Sequence, residues 1–158
     1  MQIVLANIKD AKSLSCLKKE IWDTTYRGIY DDSLIDNYDY KQREEKFKKL
    51  ILDNNQEVYV CKNNNKIIGY MVIGIPLHDS LEGYELAIND FGIDSKYRRQ
   101  GIGKMFMDLA KGKNKKLFNC CNYYNKKAQS FYQKMGGTIV KTSVDEKDKR
   151  KSQVYYVY

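Results

Sequence analysis

A chain of 158 residues is long enough for one domain, residues 1–158, around a single core. Hydrophobic content of 42% with 13% aromatic excludes a disordered chain, and no apolar run approaches the ~20 residues that cross a bilayer, so no membrane partner is expected. The net charge of +8 invites nucleic acid, but the lysines are scattered among asparagine and glutamate, which reads as a solvated surface that also suits an anionic ligand.

The elements follow in chain order. Met1 to Leu5 is a first strand. Asp10 caps a helix to about Thr24 with Leu14, Leu17, Ile21 and Trp22 on one face. A tyrosine-rich stretch, Thr25 to Asp31, precedes a second helix over Tyr40 to Leu52. Glu57 to Cys61 and Lys66 to Ile75 form a hairpin across Asn63-Asn64-Asn65. A strand over Tyr84 to Ile93 leads to a helix from Gly101 to about Gly112, whose apolar stripe is Met105, Phe106, Leu109 and Ala110. Leu117 to Cys121 is a strand and Asn125 to Met135 a helix. Strands over Thr138 to Thr142 and Gln153 to Val157 close the chain. Cys16, Cys61, Cys120 and Cys121 show no C-x-x-C spacing. With His78 as the only histidine, a zinc site is not expected, and His78 reads as an ordinary loop residue. No signal peptide opens the chain, and nothing demands disulfides, so a cytoplasmic location is expected.

The segment Tyr97-Arg98-Arg99-Gln100-Gly101-Ile102-Gly103-Lys104 joins a strand to a helix. A helix start presents unpaired N–H groups and a partial positive charge to an anion. Gly101 and Gly103 let backbone donors approach closely, while Arg98, Arg99 and Lys104 add full charges, a combination suited to a pyrophosphate. A P-loop would need glycine and a hydroxyl residue where Arg98 and Met105 stand, and a dinucleotide fingerprint a third glycine where Phe106 stands.

What remains, Arg98-x-x-Gly101-x-Gly103, resembles the acetyl-coenzyme-A motif Q/R-x-x-G-x-G/A of GCN5-related N-acetyltransferases. Downstream, Asn125-Lys126-Lys127-Ala128-Gln129-Ser130-Phe131-Tyr132-Gln133-Lys134-Met135-Gly136-Gly137 is similar to that family's N-x-x-A-x-x-F-Y-x-K-x-G-F. It departs only at Gly137, where an aromatic is usual. The two motifs stand in the right order and spacing. The resemblance implies an α/β (α+β) fold with a mixed, mostly antiparallel sheet, helices on both faces, and the fourth and fifth strands splayed around the cofactor.

It further implies acetyl-CoA as cofactor, with the backbone of Phe91 and Ile93 pairing with the pantetheine arm and Arg98, Arg99, Gln100, Gly101, Ile102, Gly103 and Lys104 receiving the pyrophosphate. Asn125 would cap its helix and bind the arm. Tyr132 matches the tyrosine that protonates the departing thiolate. A lysine-like amine, pKa ~10.4, is neutral at pH 7 at a cost of ~4.6 kcal/mol, so a base is useful. Glu85 is the candidate, with Asn89 and Asp90 as lesser ones; by strand alternation Glu85, Ala87, Asn89 and Phe91 share one face. Trp22, Tyr26 and Tyr30, with Asp31 and Asp32, make an aromatic, partly acidic wall for an amine of a small molecule or peptide. Relatives often pair, so a homodimer is an expectation that no residue carries. Two readings of another class stay open: a chain of this fold that holds coenzyme A without turnover, and a basic nucleic-acid binder.

Overall fold

The computed structural model describes all 158 residues. Its strands are β1 (Gln2–Leu5), β2 (Gln56–Asn63), β3 (Lys66–Gly74), β4 (Leu86–Ile93), β5 (Leu117–Asn122), β6 (Thr138–Ser143) and β7 (Gln153–Val157). Its helices are α1 (Ala11–Thr25), α2 (Asp32–Asp36), α3 (Tyr40–Leu52), α4 (Ile102–Lys111) and α5 (Lys126–Lys134). One seven-stranded sheet runs in the order β1-β2-β3-β4-β5-β7-β6. Every pair is antiparallel except β4 with β5. The mixed sheet expected from the motifs is therefore present.

Two cores lie on its two faces. On one, Ile88, Met71, Leu117 and Tyr156 pack against Ile102, Phe106, Met107 and Ala110 of α4 and Tyr132 of α5. On the other, Val58, Val60, Tyr70 and Val72 meet Leu14, Leu17 and Ile21 of α1 and Phe47 of α3. Side chains of this size each contribute about 1.5–3 kcal/mol on full burial, and Phe106, Leu14 and Val60 are wholly buried.

Three details depart from the sequence reading. The buried stripe of α4 is Ile102, Gly103, Phe106, Met107 and Ala110, whereas Met105 is 41% exposed. The short helix α2, over Asp32–Asp36, falls between Asp31 and Tyr40, where the sequence announces no element. Five residues carry too little apolar period to announce a helix; what holds this one is Ile35, which is fully buried. Finally, β4 is not uniformly alternating. Asp90 pairs with Val72 and Ile88 with Ile73, with a register shift between Val72 and Ile73. Asn89 is the extra residue of a β-bulge, which turns a strand's phase by one position. Ile88 and Phe91 thus reach the same core, and Phe91 does not share a face with Ala87, which packs with Phe118 and Tyr155.

Candidate active site

The parallel ladder between β4 and β5 holds for three rungs, Leu86 with Leu117, Ala87 with Phe118 and Ile88 with Asn119, and then stops. Beyond it the two strands part. The bulge at Asn89 starts the divergence, and its side chain is fixed on the far side: Nδ2 donates to Gln56 Oε1 and to the Ile75 carbonyl, both at 2.9 Å.

Backbone direction along β4 follows from one bond. Asp94 N–H donates to the Ile68 carbonyl at 2.9 Å, so Asp94, Gly92 and Asp90 turn their polar groups toward β3. In an antiparallel pair the intervening residues turn theirs the other way. Phe91 and Ile93 therefore present N–H and C=O groups to the gap. Of these, the Ile93 carbonyl accepts from Arg98 Nε at 3.0 Å. The remainder have no strand to pair with, an edge that proteins ordinarily cover.

At the last rung Asn119 is 1% exposed. Its Oδ1 accepts from the Tyr158 hydroxyl at 2.6 Å, but its Nδ2 has no partner, and neither does the buried Tyr156 hydroxyl. A buried donor left unpaired costs about 1–3 kcal/mol. A polar residue inside Leu117-Phe118-Asn119-Cys120-Cys121 was the signal in the sequence, and it passed unremarked there.

The turn before α4 is built by backbone strain in two neighbours. Arg99 has φ 63° and Gly101, the residue before the helix, φ 83° with open space where a Cβ would stand. Gly101 is needed for its conformation. Gly103 is needed for a different reason from the one its motif implied. A Cβ there would lie 2.7 Å from Phe131 Cε2, so the ring of Phe131 on α5, and not a phosphate, fills that space. Arg98 is likewise committed: besides Ile93 it reaches Thr25 Oγ1 at 3.2 Å and Thr24 Oγ1 at 3.4 Å, tying the end of α1 to the end of β4. Arg99 and Gln100 are exposed. Lys104 is exposed and pairs with Asp108 at 2.5 Å. Ile102 is buried and has only its backbone to offer.

On α5, Asn125 Oδ1 accepts from Ala128 N–H at 3.1 Å as the helix cap. Tyr132 is 6% exposed and packs against Phe91, with ring centroids 6.4 Å apart, and Tyr156, at 5.5 Å. Burial first, then the neighbouring Cys121, Tyr158, Tyr26 and Asp90, push its phenol well above the ordinary tyrosine value, so it is a neutral hydroxyl at physiological pH.

Asp90 faces the opposite side of the sheet from Phe91. Its Oδ1 accepts from the Tyr70 hydroxyl at 2.9 Å and its Oδ2 pairs with Lys18 of α1. Burial, the Asp90 charge and this hydrogen bond all keep Tyr70 neutral. Lys18 was not singled out from the sequence, because its partner lies 72 residues away. Glu85 is exposed, precedes β4, and lines a shallow depression with Gly83, Tyr84 and Lys116.

The tyrosine-rich segment forms one aromatic wall. Tyr26 and Tyr30 stack at 4.4 Å, and Trp22 meets Tyr30 edge-on at 5.7 Å and Tyr38 at 5.4 Å. The Tyr26 hydroxyl lies beside Asn125, and burial, with Tyr30 and Asp90 close by, raises its pKa. Of the expected acidic pair, Asp32 is spent internally, since Arg27 binds it with Asp23 and Asp36 at 3.1, 2.8 and 2.7 Å, whereas Asp31 is exposed and makes no ion pair.

No group of three His, Cys, Asp or Glu side chains is placed to hold a metal ion, and no helix is long and apolar enough to cross a membrane. The unclaimed edge of β4, the orphan donor of Asn119 and the open turn at Gly101 fit a linear ligand with amide groups along its length and an anionic end.

A model of the acetyltransferase (GNAT) family matches residues 18–137. An uncharacterized N-acetyltransferase of Bacillus subtilis, YuaI, is 28% identical over 108 residues. That match covers 68% of this chain and 59% of YuaI, so the likeness spans little more than half of the relative's length. Among solved structures, the PaiA N-acetyltransferase of Thermoplasma acidophilum in complex with coenzyme A superposes with a TM-score of 0.76 at 20% identity, over 100% of both chains. An acetyltransferase of Thermus thermophilus gives 0.74 at 16% identity, over 100% of this chain and 97% of that one. The ribosomal-protein-alanine N-acetyltransferase of Brucella melitensis gives 0.71 at 16%, over 100% and 99%. At these identities the superpositions show the fold.

Proposed function

The chain belongs to the acetyltransferase (GNAT) family, and from that premise we propose that it is an acetyl-CoA-dependent N-acetyltransferase acting on a primary amine of a small molecule or peptide. The observation that carries this reading is the early end of the β4–β5 ladder at Ile88 and Asn119, beside the unclaimed backbone of Phe91 and the Ile93 N–H and against Tyr132. Acetyl-CoA, when bound, supplies an acetyl group activated as a thioester.

Every other part falls to the chain. Phe91 and Ile93 offer a strand edge to the amides of the pantetheine arm, the way an added strand docks on a sheet. Asn119 Nδ2 gains the acceptor it lacks. Arg99, the Gly101 turn, Lys104 and the first N–H groups of α4 receive the pyrophosphate, while Arg98 holds the turn against α1 and β4. Asn125 closes the gap from the start of α5. The Phe91 N–H is the donor available to the acyl carbonyl as charge develops on its oxygen. Tyr132, kept neutral by burial, gives its proton to the departing sulfur.

Asp90 and Phe91 point to opposite faces, so the acceptor approaches from the α1–α3 side while the cofactor lies toward α4 and α5. In that arrangement Asp90 takes the amine's proton, directly or through water. Glu85 stands five positions earlier, roughly 16 Å away along an extended chain, at the closed end of the ladder, and we assign it no proton transfer. Trp22, Tyr26 and Tyr30 line the acceptor's path. The test is thiol release from acetyl-CoA against a panel of primary amines. Amine-dependent release establishes the reaction. A protein that binds acetyl-CoA but releases no thiol with any amine would be a binding module, and the reading would fall.

A further inference from the structure

We propose that the acceptor is an amine that also carries an anionic group, a carboxylate or a phosphate, and that Arg43 of α3 receives that anion. The inference rests on the acetyltransferase reading above, and it comes from which charges along the acceptor's path are already matched and which are not.

Several of the cations and carboxylates around the aromatic wall are already paired. Arg27 is held by three carboxylates, Asp23, Asp32 and Asp36. Lys18 is matched by Asp90 and Lys19 by Asp23 at 2.6 Å. Arg150, whose charge reaches Tyr30 and Asp31, is clamped by Asp148 with two contacts of 3.0 Å. On α3, Glu44 and Glu45 both turn to Lys48, at 3.4 and 3.0 Å, and Asp39 caps the helix by accepting from Gln42 N–H at 2.9 Å.

Arg43 lies on the wall itself and is unpaired. Its guanidinium lies 4.9 Å from the Trp22 ring and 5.7 Å from the Tyr38 ring, half-buried, and no carboxylate or carbonyl of the chain binds it. Stacking on aromatic faces fixes the plane of a guanidinium and leaves its edge free for the paired hydrogen bonds a carboxylate or phosphate accepts. The local field agrees with the contacts: the Lys46 ammonium is driven below its ordinary pKa by Arg43 first, then by burial, Lys18 and Lys49, so the cations here are not offset. Arg43 also acts on Tyr30, which feels the Asp90 charge as well. The tyrosine that stacks on Tyr26 therefore feels both the cation and the carboxylate that would take the amine's proton.

A polycationic amine finds little match in this wall, where Arg27 holds Asp23, Asp32 and Asp36 and only the exposed Asp31 stands unpaired in the α1–α2 turn. An amine with one anionic group meets Arg43 with its anion and turns its ammonium toward Asp90, whose carboxylate also holds Lys18 and the Tyr70 hydroxyl.

Trp22 is the only tryptophan in the chain and lies under Arg43, so its fluorescence reports occupancy at equilibrium, without turnover. The probes are L-alanyl-L-alanine and its C-terminal amide, O-phosphoethanolamine and ethanolamine, and spermidine, each titrated with coenzyme A present. The expected result is at least tenfold tighter binding of the dipeptide than of its amide, or of phosphoethanolamine than of ethanolamine, the stronger pair telling carboxylate from phosphate. Arg43→Gln should collapse that preference and Arg43→Lys restore part of it, with coenzyme A binding measured in each variant as the check on folding. Equal binding within both pairs, tighter binding of spermidine, or a preference that survives Arg43→Gln would overturn the proposal. Acetyl-CoA turnover without such a preference would sink this inference alone, whereas saturable amine binding with no thiol release would sink the acetyl transfer.

Discussion

Gly103 of α4 and Phe131 of α5 touch so closely that a Cβ at position 103 would come within 2.7 Å of the Phe131 ring. The two helices that frame the cofactor side of the gap are locked together at this point, next to the phenol of Tyr132. Gly103→Ala must therefore displace the Phe131 ring, and overpacking of this kind costs about 1–3 kcal/mol. Gly101→Ala meets no atom, but it places an L residue at φ 83°, a strain of about 1–2 kcal/mol. Thermal melting should show both losses. Acetyl-CoA titration should separate them, since Gly101→Ala disturbs only the turn while Gly103→Ala also displaces the Phe131 ring, which packs against Phe91 and Tyr132.

Tyr132→Phe removes the proton donor and keeps the ring packed among Phe91, Phe131 and Tyr156. The rate of acetyl transfer should fall by about 10²-fold or more with acetyl-CoA affinity nearly unchanged. Burial raises the Tyr132 pKa, so the wild-type rate should show no loss from ionisation of this phenol as pH approaches 10. A full rate in the phenylalanine variant would remove the proton-donor role.

Asp90→Asn keeps the shape of the side chain but leaves Lys18 without its counter-charge. The expected outcome is a lower turnover rate with a destabilisation of about 1–3 kcal/mol, read by denaturant titration alongside steady-state kinetics. Glu85→Gln, at an exposed position ahead of β4, should change neither. If Glu85→Gln abolished turnover and Asp90→Asn spared it, the proton acceptor would be misassigned.

Alkaline stability follows from the buried phenols. Burial raises Tyr38 and Tyr156 to about 12 and also lifts Tyr70 and Tyr132 well above the ordinary phenol value. A phenol whose folded pKa is raised contributes its stability fully below the unfolded value, near 10, and loses it as pH climbs through the folded value. Unfolding should therefore set in between pH 10 and about 12 for Tyr38 and Tyr156. Tyrosinate absorbance should rise together with the loss of circular dichroism, in one transition.

Much of this was legible in the residues, for reasons that can be named. The two motif segments are local: a turn and its helix, a cap and its helix. Their positions therefore follow from spacing, and the order of the elements follows from period and punctuation. What escaped was set by contacts between distant parts of the chain. The bulge at Asn89 depends on its bonds to Gln56 and Ile75, and without it the face of Phe91 is assigned wrongly. Gly103 reads as a phosphate-facing glycine until Phe131 is seen against it. Asp32 reads as part of an acidic wall until Arg27 is found gathering it with Asp23 and Asp36. Arg43 carries no pattern of its own, and its freedom is visible only once the carboxylates of α1 and α3 are seen bound to other partners.

The central claim is that the edge of β4 beyond Ile88 is the docking strand for the cofactor arm, and amide hydrogen exchange at single-residue resolution tests it most directly. Without coenzyme A, Gly92 should already be protected by β3, while Phe91 and Ile93 exchange faster. On saturation with coenzyme A, Phe91 and Ile93 should slow together and Gly92 should change little. Saturable binding that left Phe91 and Ile93 exchanging as before would contradict the account.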